Sequence, residues 1–216
     1  MNATNRRTDR TRVTRHIIMA TAERLYAERG LTAVSNRQIG EAAGQGNNTA
    51  VSYHFGTKTD LIRAITREHG DRVENHRASM VAAAAGSADV RTWIACIVRP
   101  FTEHLNELGT PSWFARFTAQ ANTDPAFREI IAAESLSSRA LVQAMDGLNA
   151  CLPALPLEVR VERGDMAAHL LLHAVAERER ALAEGAFTPR ATWNDAASGL
   201  VDALAGLWTA PVGRTA

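Results

Sequence analysis

The chain has 216 residues, of which 24 are Lys or Arg and 23 are Asp or Glu, so its formal net charge is +1, and 46% of the residues are hydrophobic. This balance excludes an intrinsically disordered or highly charged chain and leaves room for one or two folded domains. The longest run without a charged residue, 42–57, is rich in Asn, Gly and Thr, so no membrane span is predicted.

The N-terminal segment and the two cysteines give further expectations. The N-terminal segment contains arginines but no apolar stretch followed by a cleavage site, so we expect no secretory signal and a cytoplasmic location. Cys96 and Cys151 are too few for a disulfide framework and lack metal-ligand spacing. They are predicted to be small buried hydrophobic residues.

Charge is unevenly distributed along the chain. Residues 1–67 hold 11 basic and 5 acidic side chains, a net charge of +6, whereas residues 68–216 hold 13 and 18, a net charge of −5. A basic N-terminal third predicts contact with a polyanion at that end. Lys58 is the only lysine, since every other basic residue is Arg.

Helical periodicity runs through the chain, and no stretch alternates as a strand would. A first helix over residues 9–29 places Ile18, Ala22, Leu25 and Tyr26 on one face and ends at Gly30. An arm of arginines leads into this helix: Arg6, Arg7, Arg10, Arg12 and Arg15.

Two capping boxes follow. Ser35 with Gln38 predicts a short helix over 36–43, and Thr57 with Asp60 predicts a longer one from residue 58 to about residue 85. Between them lies another short helix, 49–55. Two short helices joined by a glycine-containing turn, after a longer helix, are typical of a helix-turn-helix.

Five further helices are predicted, over residues 89–108, 112–122, 125–151, 157–183 and 189–208. Residues 166–176 are apolar on every side except at His169 and His173, which predicts burial. In the last helix an apolar stripe adjoins a stripe of small residues, so the apolar arc is wide enough to cover both its own core and a second subunit. The residues expected at this dimer interface are Leu170, Ala196, Gly199, Leu200, Ala203 and Leu204.

Three segments resemble the tetracycline-repressor (TetR) family of bacterial transcription regulators: IMATAERLYAERG, NRQIGEAAG and YHFGTKTDLI, within residues 18–62. The resemblance implies an all-α fold with a three-helix DNA-binding helix-turn-helix domain, here 1–62 with its basic arm. It also implies a helical ligand-binding and dimerisation domain, here 63–216. The chain departs from the usual family pattern in the turn, where the eight residues QGNNTAVS replace seven, and Ser52 stands where an aromatic residue is common.

The predicted reading helix carries side chains suited to base edges. Asn47, Asn48, Thr49 and Ser52 are types that bind adenine or contact the thymine methyl group, whereas Val51 and Phe55 are expected to face inward. Because no Arg or Lys lies between Glu41 and Lys58, we expect the positive charge to come from Arg37 and the arm.

Phosphate contacts are expected beside this helix. Lys58, at the N-terminus of a helix where backbone N–H groups already favour an anion, is predicted to bind a phosphate. The resemblance implies that Tyr53 and His54 either face the DNA backbone or pack the domain.

An apolar effector cavity is predicted in the second half of the chain. Its candidate lining residues are Trp93, Phe101, His104, Trp113, Phe117, Gln120, His169 and His173. The spacing of His169, His173 and Glu177 places all three on one helical face, where they could instead hold a metal; pocket or core histidines are the preferred interpretation, and no cofactor is expected.

Together these features predict a homodimeric repressor that binds a pseudo-palindromic operator and responds to a small, largely apolar effector. Two alternatives stay open: an activator or partner-responsive regulator of the same fold, and, more remotely, a helical metal-dependent hydrolase. No HExxH, GxSxG or Walker motif supports an enzyme.

Overall fold

The computed structural model describes residues 3–46 and 49–213, with side chains from residue 10 onward. Within those ranges it contains ten helices and no strand, which confirms the all-α prediction. No helix there is long and apolar enough to cross a membrane. The helices are α1 (Ala3–Arg29), α2 (Asn36–Ala42), α3 (Ala50–Phe55), α4 (Lys58–Ala83), α5 (Val90–Leu108), α6 (Phe114–Thr123), α7 (Pro125–Leu136), α8 (Arg139–Cys151), α9 (Leu157–Ala183) and α10 (Trp193–Thr209).

The first three helices and the start of α4 share a small core. Ile18, Ala22, Leu25 and Tyr26 of α1 are buried, as their spacing predicts. Gly30 follows α1 at φ 85°, a conformation that side chains rarely adopt, which explains why the helix ends there.

Both predicted capping boxes are present. The Ser35 side chain accepts a hydrogen bond from the Gln38 backbone N–H, and the Gln38 side chain accepts one from the Ser35 N–H. Thr57 and Asp60 make the same reciprocal pair at α4. These caps set where α2 and α4 begin, because they satisfy N–H groups that have no partner inside the helix.

Two boundaries differ from the sequence prediction. Helix α1 begins at Ala3, so the backbone of the basic segment belongs to the helix. The single helix predicted over 125–151 is two, α7 and α8. The break occurs because the Ser138 hydroxyl caps α8 at the Leu141 N–H, 3.1 Å away, while Glu74 of α4 accepts a 2.8 Å hydrogen bond from the Ala140 N–H.

The remaining helices form the second core. Helix α10 packs along α5, α5 also packs against α4 and α8, and α6 packs against α9 and α1. Cys96 is buried in this core and Cys151 is half-buried; both are free thiols. The predicted domain boundary at residue 62 falls within α4, which continues without interruption from the first core into the second.

A buried carboxylate joins α9 to α6. Trp113, the residue that precedes α6, provides no side-chain cap. Glu179 of α9 fills that role: its two carboxylate oxygens accept hydrogen bonds from the backbone N–H groups of Ala115 and Arg116, at 3.1 and 3.0 Å. The Arg116 side chain completes the site with an ion pair at 3.1 Å.

The burial predicted for 166–176 holds only at its C-terminal end. Val175 and Ala176 are buried, but Met166 and Leu170 are 48% and 39% exposed, and His169 and His173 are also exposed. We call these four exposed residues the outer face of α9. The prediction was wrong for a single chain because neighbouring helices cover only one side of α9.

Candidate functional site

The short helix α3 presents a polar surface held from behind by apolar residues. Val51 is fully buried and Phe55 is 8% exposed, so both face inward as predicted. Ser52 is exposed, and Tyr53 is 79% exposed, with its ring edge against His54 at 5.1 Å between centroids. The helix therefore displays its polar side chains to solvent.

Thr49 precedes α3 and is also exposed. We call Thr49, Ser52 and Tyr53 the reading surface. Asn47 and Asn48, two of the predicted base-contacting residues, lie outside the described residues, and so does the middle of the turn whose length departs from the family pattern.

Two cations of the N-terminal helices have different roles. Arg37 on α2 has a side chain 73% exposed and forms an ion pair with Glu41 at 3.0 Å, so it lies on the surface, and its contact with DNA stays a prediction. Arg15 is instead used by the fold: its guanidinium lies 4.1 Å from the centre of the Phe55 ring and donates a hydrogen bond to the His54 carbonyl. Arg15 thus holds the end of α3 against α1.

The phosphate contact predicted for Lys58 gains no support from this structure, in which the fold uses the ammonium. The Lys58 ammonium donates hydrogen bonds to the backbone carbonyls of Leu31 and, at 2.7 Å, Val34. It also lies 5.6 Å from the centre of the Tyr26 ring. Partial burial lowers the pKa of Lys58, an effect that the nearby Asp124 carboxylate opposes. The ammonium binds these carbonyls because the α1–α2 loop lies within reach of the lysine side chain.

Polar contacts connect the N-terminal helices to the second core. The Thr32 hydroxyl donates a 2.8 Å hydrogen bond to the carboxylate of Asp124, the residue that caps α7. Glu23 of α1 contacts His69 of α4 at 2.8 Å, and His69 contacts His104 of α5, also at 2.8 Å. These contacts give the two parts of the molecule a shared interface.

An apolar contact runs beside them. Tyr26 of α1 stacks on Phe117 of α6, with ring centroids 6.1 Å apart. Burial of the Tyr26 hydroxyl raises its pKa.

A cavity of about 1110 Å³ lies among α4–α10. We call it the central cavity. Of the eight residues predicted to line it, only Phe101 and His169 do. Apolar side chains from several helices make up much of the wall: Ile94, Ile97, Phe114, Ile131, Leu148, Leu171, Leu204 and Trp208.

The other six predicted lining residues lie elsewhere. Trp93 packs against Gly147, and its indole N–H donates to the Ser87 carbonyl at 3.0 Å. His104 and Phe117 are buried in the contacts with His69 and Tyr26. The remaining three are outside the cavity wall too: Trp113, Gln120 and His173. The prediction relied on aromatic residue types, which occur both in the cavity wall and in the solid core.

The polar groups of the cavity were missed from the sequence. Glu74 and Arg77, one turn apart on α4, both contact the Ser138 hydroxyl, and Arg77 also donates to the Cys96 carbonyl at 3.2 Å. Burial lowers the pKa of Arg77, and the charge of Glu74 opposes this effect. Arg160 of α9 lines the cavity too, and its Nε is buried without a hydrogen-bond partner in the described part of the chain. Nothing in their sequence spacing distinguishes these residues from surface charges.

The alternative metal site gains no support. Nδ1 of His169 lies 2.7 Å from the Asp165 carbonyl, and Glu177 pairs with Arg180. Across the described side chains, residues 10–46 and 49–213, no group of three or more His, Cys, Asp or Glu is placed to hold a metal ion.

Comparison with known proteins agrees with this geometry. Residues 18–65 match the family model described as bacterial regulatory proteins, tetR family. A TetR-family regulator from Streptomyces coelicolor A3 shares the fold, with 23% identity over 90% of this chain and 93% of that chain and a TM-score of 0.50. The TetR-family transcriptional regulator PfmR from Thermus thermophilus is 16% identical over 93% of this chain and 97% of that chain, with a TM-score of 0.48. Among curated proteins, none matches the sequence significantly.

Proposed function

Because this chain is a DNA-binding transcriptional regulator of the TetR family, we propose that it is a homodimeric repressor which releases a pseudo-palindromic operator when a small effector binds. The observation that carries the proposal is the direct contact between the helices around the central cavity and the helices that hold the reading surface.

The reading surface enters the major groove in this proposal. Thr49 and Ser52 contact base edges, together with Asn47 and Asn48, and Tyr53 contacts the backbone. The inward packing of Val51 and Phe55 supports this, because it fixes which side of α3 faces outward. Arg37 supplies charge beside the groove, and His54, half-buried at the end of α3, positions the helix.

The dimer is formed by the outer face of α9 and the adjoining small residues of α10. Leu170 is exposed on α9, Ala203 is exposed on α10, and Ala196 and Gly199 are partly exposed, so a partner helix can approach closely. Leu200 and Leu204, also predicted for the interface, are 9% and 3% exposed and pack inside their own chain. We therefore assign these two to the core.

Release of the operator requires that the effector bind more tightly to the DNA-incompetent state, since a ligand with equal affinity for both states shifts nothing. The cavity lining includes α4 and α7, and the same helices contact the N-terminal helices through His69 and Asp124. A shift of these helices on effector binding changes the separation of the two reading surfaces in the dimer.

The test is selection of bound sequences from a random DNA pool by the full-length protein. We expect a sequence with two-fold related halves to be enriched, and we expect Tyr53→Ala to weaken its binding. Phe187→Ala is the matched control, because Phe187 is also an exposed aromatic residue, 88% exposed between α9 and α10, and is not part of the reading surface. Failure to enrich any two-fold related sequence contradicts the proposal.

Transcription in vitro from a promoter that carries the selected sequence then tests the sign of regulation. A decrease on adding the protein supports repression, and an increase contradicts it.

A further inference from the structure

One arginine of the central cavity is not used by the fold. The Arg160 Nε is buried, and it has no hydrogen-bond partner in the described part of the chain. Arg160 lies in the first turn of α9 and is half-buried, with its side chain among the residues that line the cavity. A buried N–H group without an acceptor costs roughly 1–3 kcal/mol. The Nε of Arg178 is also buried without a partner, but its two other nitrogens donate to the carbonyls of Arg190 and Ala191, at 2.8 and 3.3 Å. The side chain of Arg160 makes no hydrogen bond within the described residues, so its guanidinium is available to a ligand in the cavity that it lines.

Two other buried arginines do have hydrogen-bond acceptors within the chain. Arg163, one turn later on α9, donates to the carbonyls of Trp208 and Ala210 at 2.8 and 2.7 Å. Arg77 bonds to the Cys96 carbonyl and the Ser138 hydroxyl. Arg163 and Arg77 therefore hold helix ends or neighbouring helices in place. Arg160 makes no such contact within the described residues.

Five carboxylates line the cavity, and none of them forms an ion pair with Arg160 within the described residues: Asp71, Glu74, Glu129, Glu134 and Asp165. Arg67 and Glu134 pair with each other at 2.6 Å. Glu74 accepts hydrogen bonds from the Ala140 N–H and the Ser138 hydroxyl. Arg160 is thus a partly desolvated cation beside a largely apolar wall.

Such a site matches a molecule with an apolar body and an acidic group. An oxyanion accepts two N–H bonds from a guanidinium in a geometry that neither an alcohol nor an amine reproduces. We propose that the effector is an anionic amphiphile, whose carboxylate or other oxyanion group binds Arg160 while its apolar part occupies the central cavity. This inference rests on the proposed function, because it assumes that the cavity is the effector site.

Two fluorescent probes with the same aromatic skeleton provide the test. Anilinonaphthalene sulfonate is anionic and N-phenylnaphthylamine is neutral, and both are titrated into the full-length protein. We expect Arg160→Gln to weaken binding of the anionic probe by about tenfold or more and to leave the neutral probe within about twofold, since hydrogen bonds to a charged group are worth about 1.5–3 kcal/mol. Decanoate is expected to displace the anionic probe at lower concentration than decanol does.

The control is Arg91→Gln, which removes the same charge from an exposed residue of α5 outside the cavity lining. It is expected to change neither affinity by more than about twofold, because exposed charges are screened. Unfolding curves of all three proteins show whether the variants remain folded. Equal loss of both probes in a folded Arg160→Gln protein, or no loss of either, overturns the proposed role of Arg160.

The failure of the inference is distinct from the failure of the proposed function. If the neutral probe binds and releases the operator as well as the anionic one, the effector response stands and the anionic class is wrong. If neither probe binds the folded protein, the inference is overturned, while the proposed function is judged separately by the operator selection and the transcription assay.

Discussion

The Thr32 hydroxyl donates a 2.8 Å hydrogen bond to the carboxylate of Asp124, and this contact joins the loop after α1 to the start of α7. The same carboxylate caps α7 through the Ala126 N–H at 2.9 Å. It also favours the charged form of Lys58, whose ammonium binds the loop carbonyls from the other side. The loop is therefore held between α4 and α7, two helices that line the central cavity.

Thr32→Val removes this hydrogen bond while keeping the branched side chain. We expect a stability loss of about 1 kcal/mol or less, because the contact is exposed, and a weaker effect of the effector on operator binding, by about fivefold or less. Titration of operator DNA with and without effector measures the change. Thr123→Val is the control, since the Thr123 hydroxyl bonds only within its own helix; an equal loss of coupling in that variant contradicts a special role for Thr32.

Lys58→Met keeps the length of the side chain and removes the ammonium. The carbonyls of Leu31 and Val34 lose a charged donor, so we expect the free energy of unfolding to fall by roughly 1–3 kcal/mol. The salt dependence of operator binding is expected to stay unchanged, because the ammonium points into the protein. A decrease of about one unit in the slope of log K against log salt would instead restore a phosphate contact.

Glu179→Gln tests the cap that α9 provides for α6. The neutral amide keeps one acceptor oxygen but leaves Arg116 without a buried counter-charge and one of the N–H groups poorly bonded. We expect a loss of about 3 kcal/mol in the free energy of unfolding, measured by urea denaturation. The exposed Glu184→Gln is the matched control, with an expected change within about 0.5 kcal/mol.

His104 makes the stability depend on pH. Burial, reinforced by His69, Arg72 and His76 and opposed by Glu107, lowers its pKa from 6.5 to about 4. Between these values the unfolded chain binds a proton that the folded chain does not. Stability is thus fully present above pH 6.5 and is lost as the pH falls through about 4, by about 3 kcal/mol in all.

Urea denaturation at several pH values between about 7 and 4 checks this. His104→Gln is expected to reduce the loss between those values, whereas His16→Gln, which changes an exposed histidine of α1, is expected to retain it. If the free energy of unfolding of His104→Gln depends on pH as in the unchanged protein, groups other than His104 cause the dependence.

Local patterns were informative wherever a few neighbouring residues decide the conformation. The capping boxes at Ser35 and Thr57 placed α2 and α4, and the spacing of Ile18, Ala22 and Tyr26 identified the buried face of α1. The break between α7 and α8 was missed because it depends on Glu74, a residue far away along the chain.

The amino-acid sequence alone determined the all-α fold, the helix-turn-helix and the division of charge, because periodicity, capping and composition are local or additive properties. Only the tertiary structure decided what individual polar side chains do. It directed the Lys58 ammonium to the Leu31 and Val34 carbonyls and left the Arg160 Nε without a partner in the described part of the chain. The partners of a buried donor come from distant parts of the chain, so their presence or absence is set by packing and has no sequence pattern of its own.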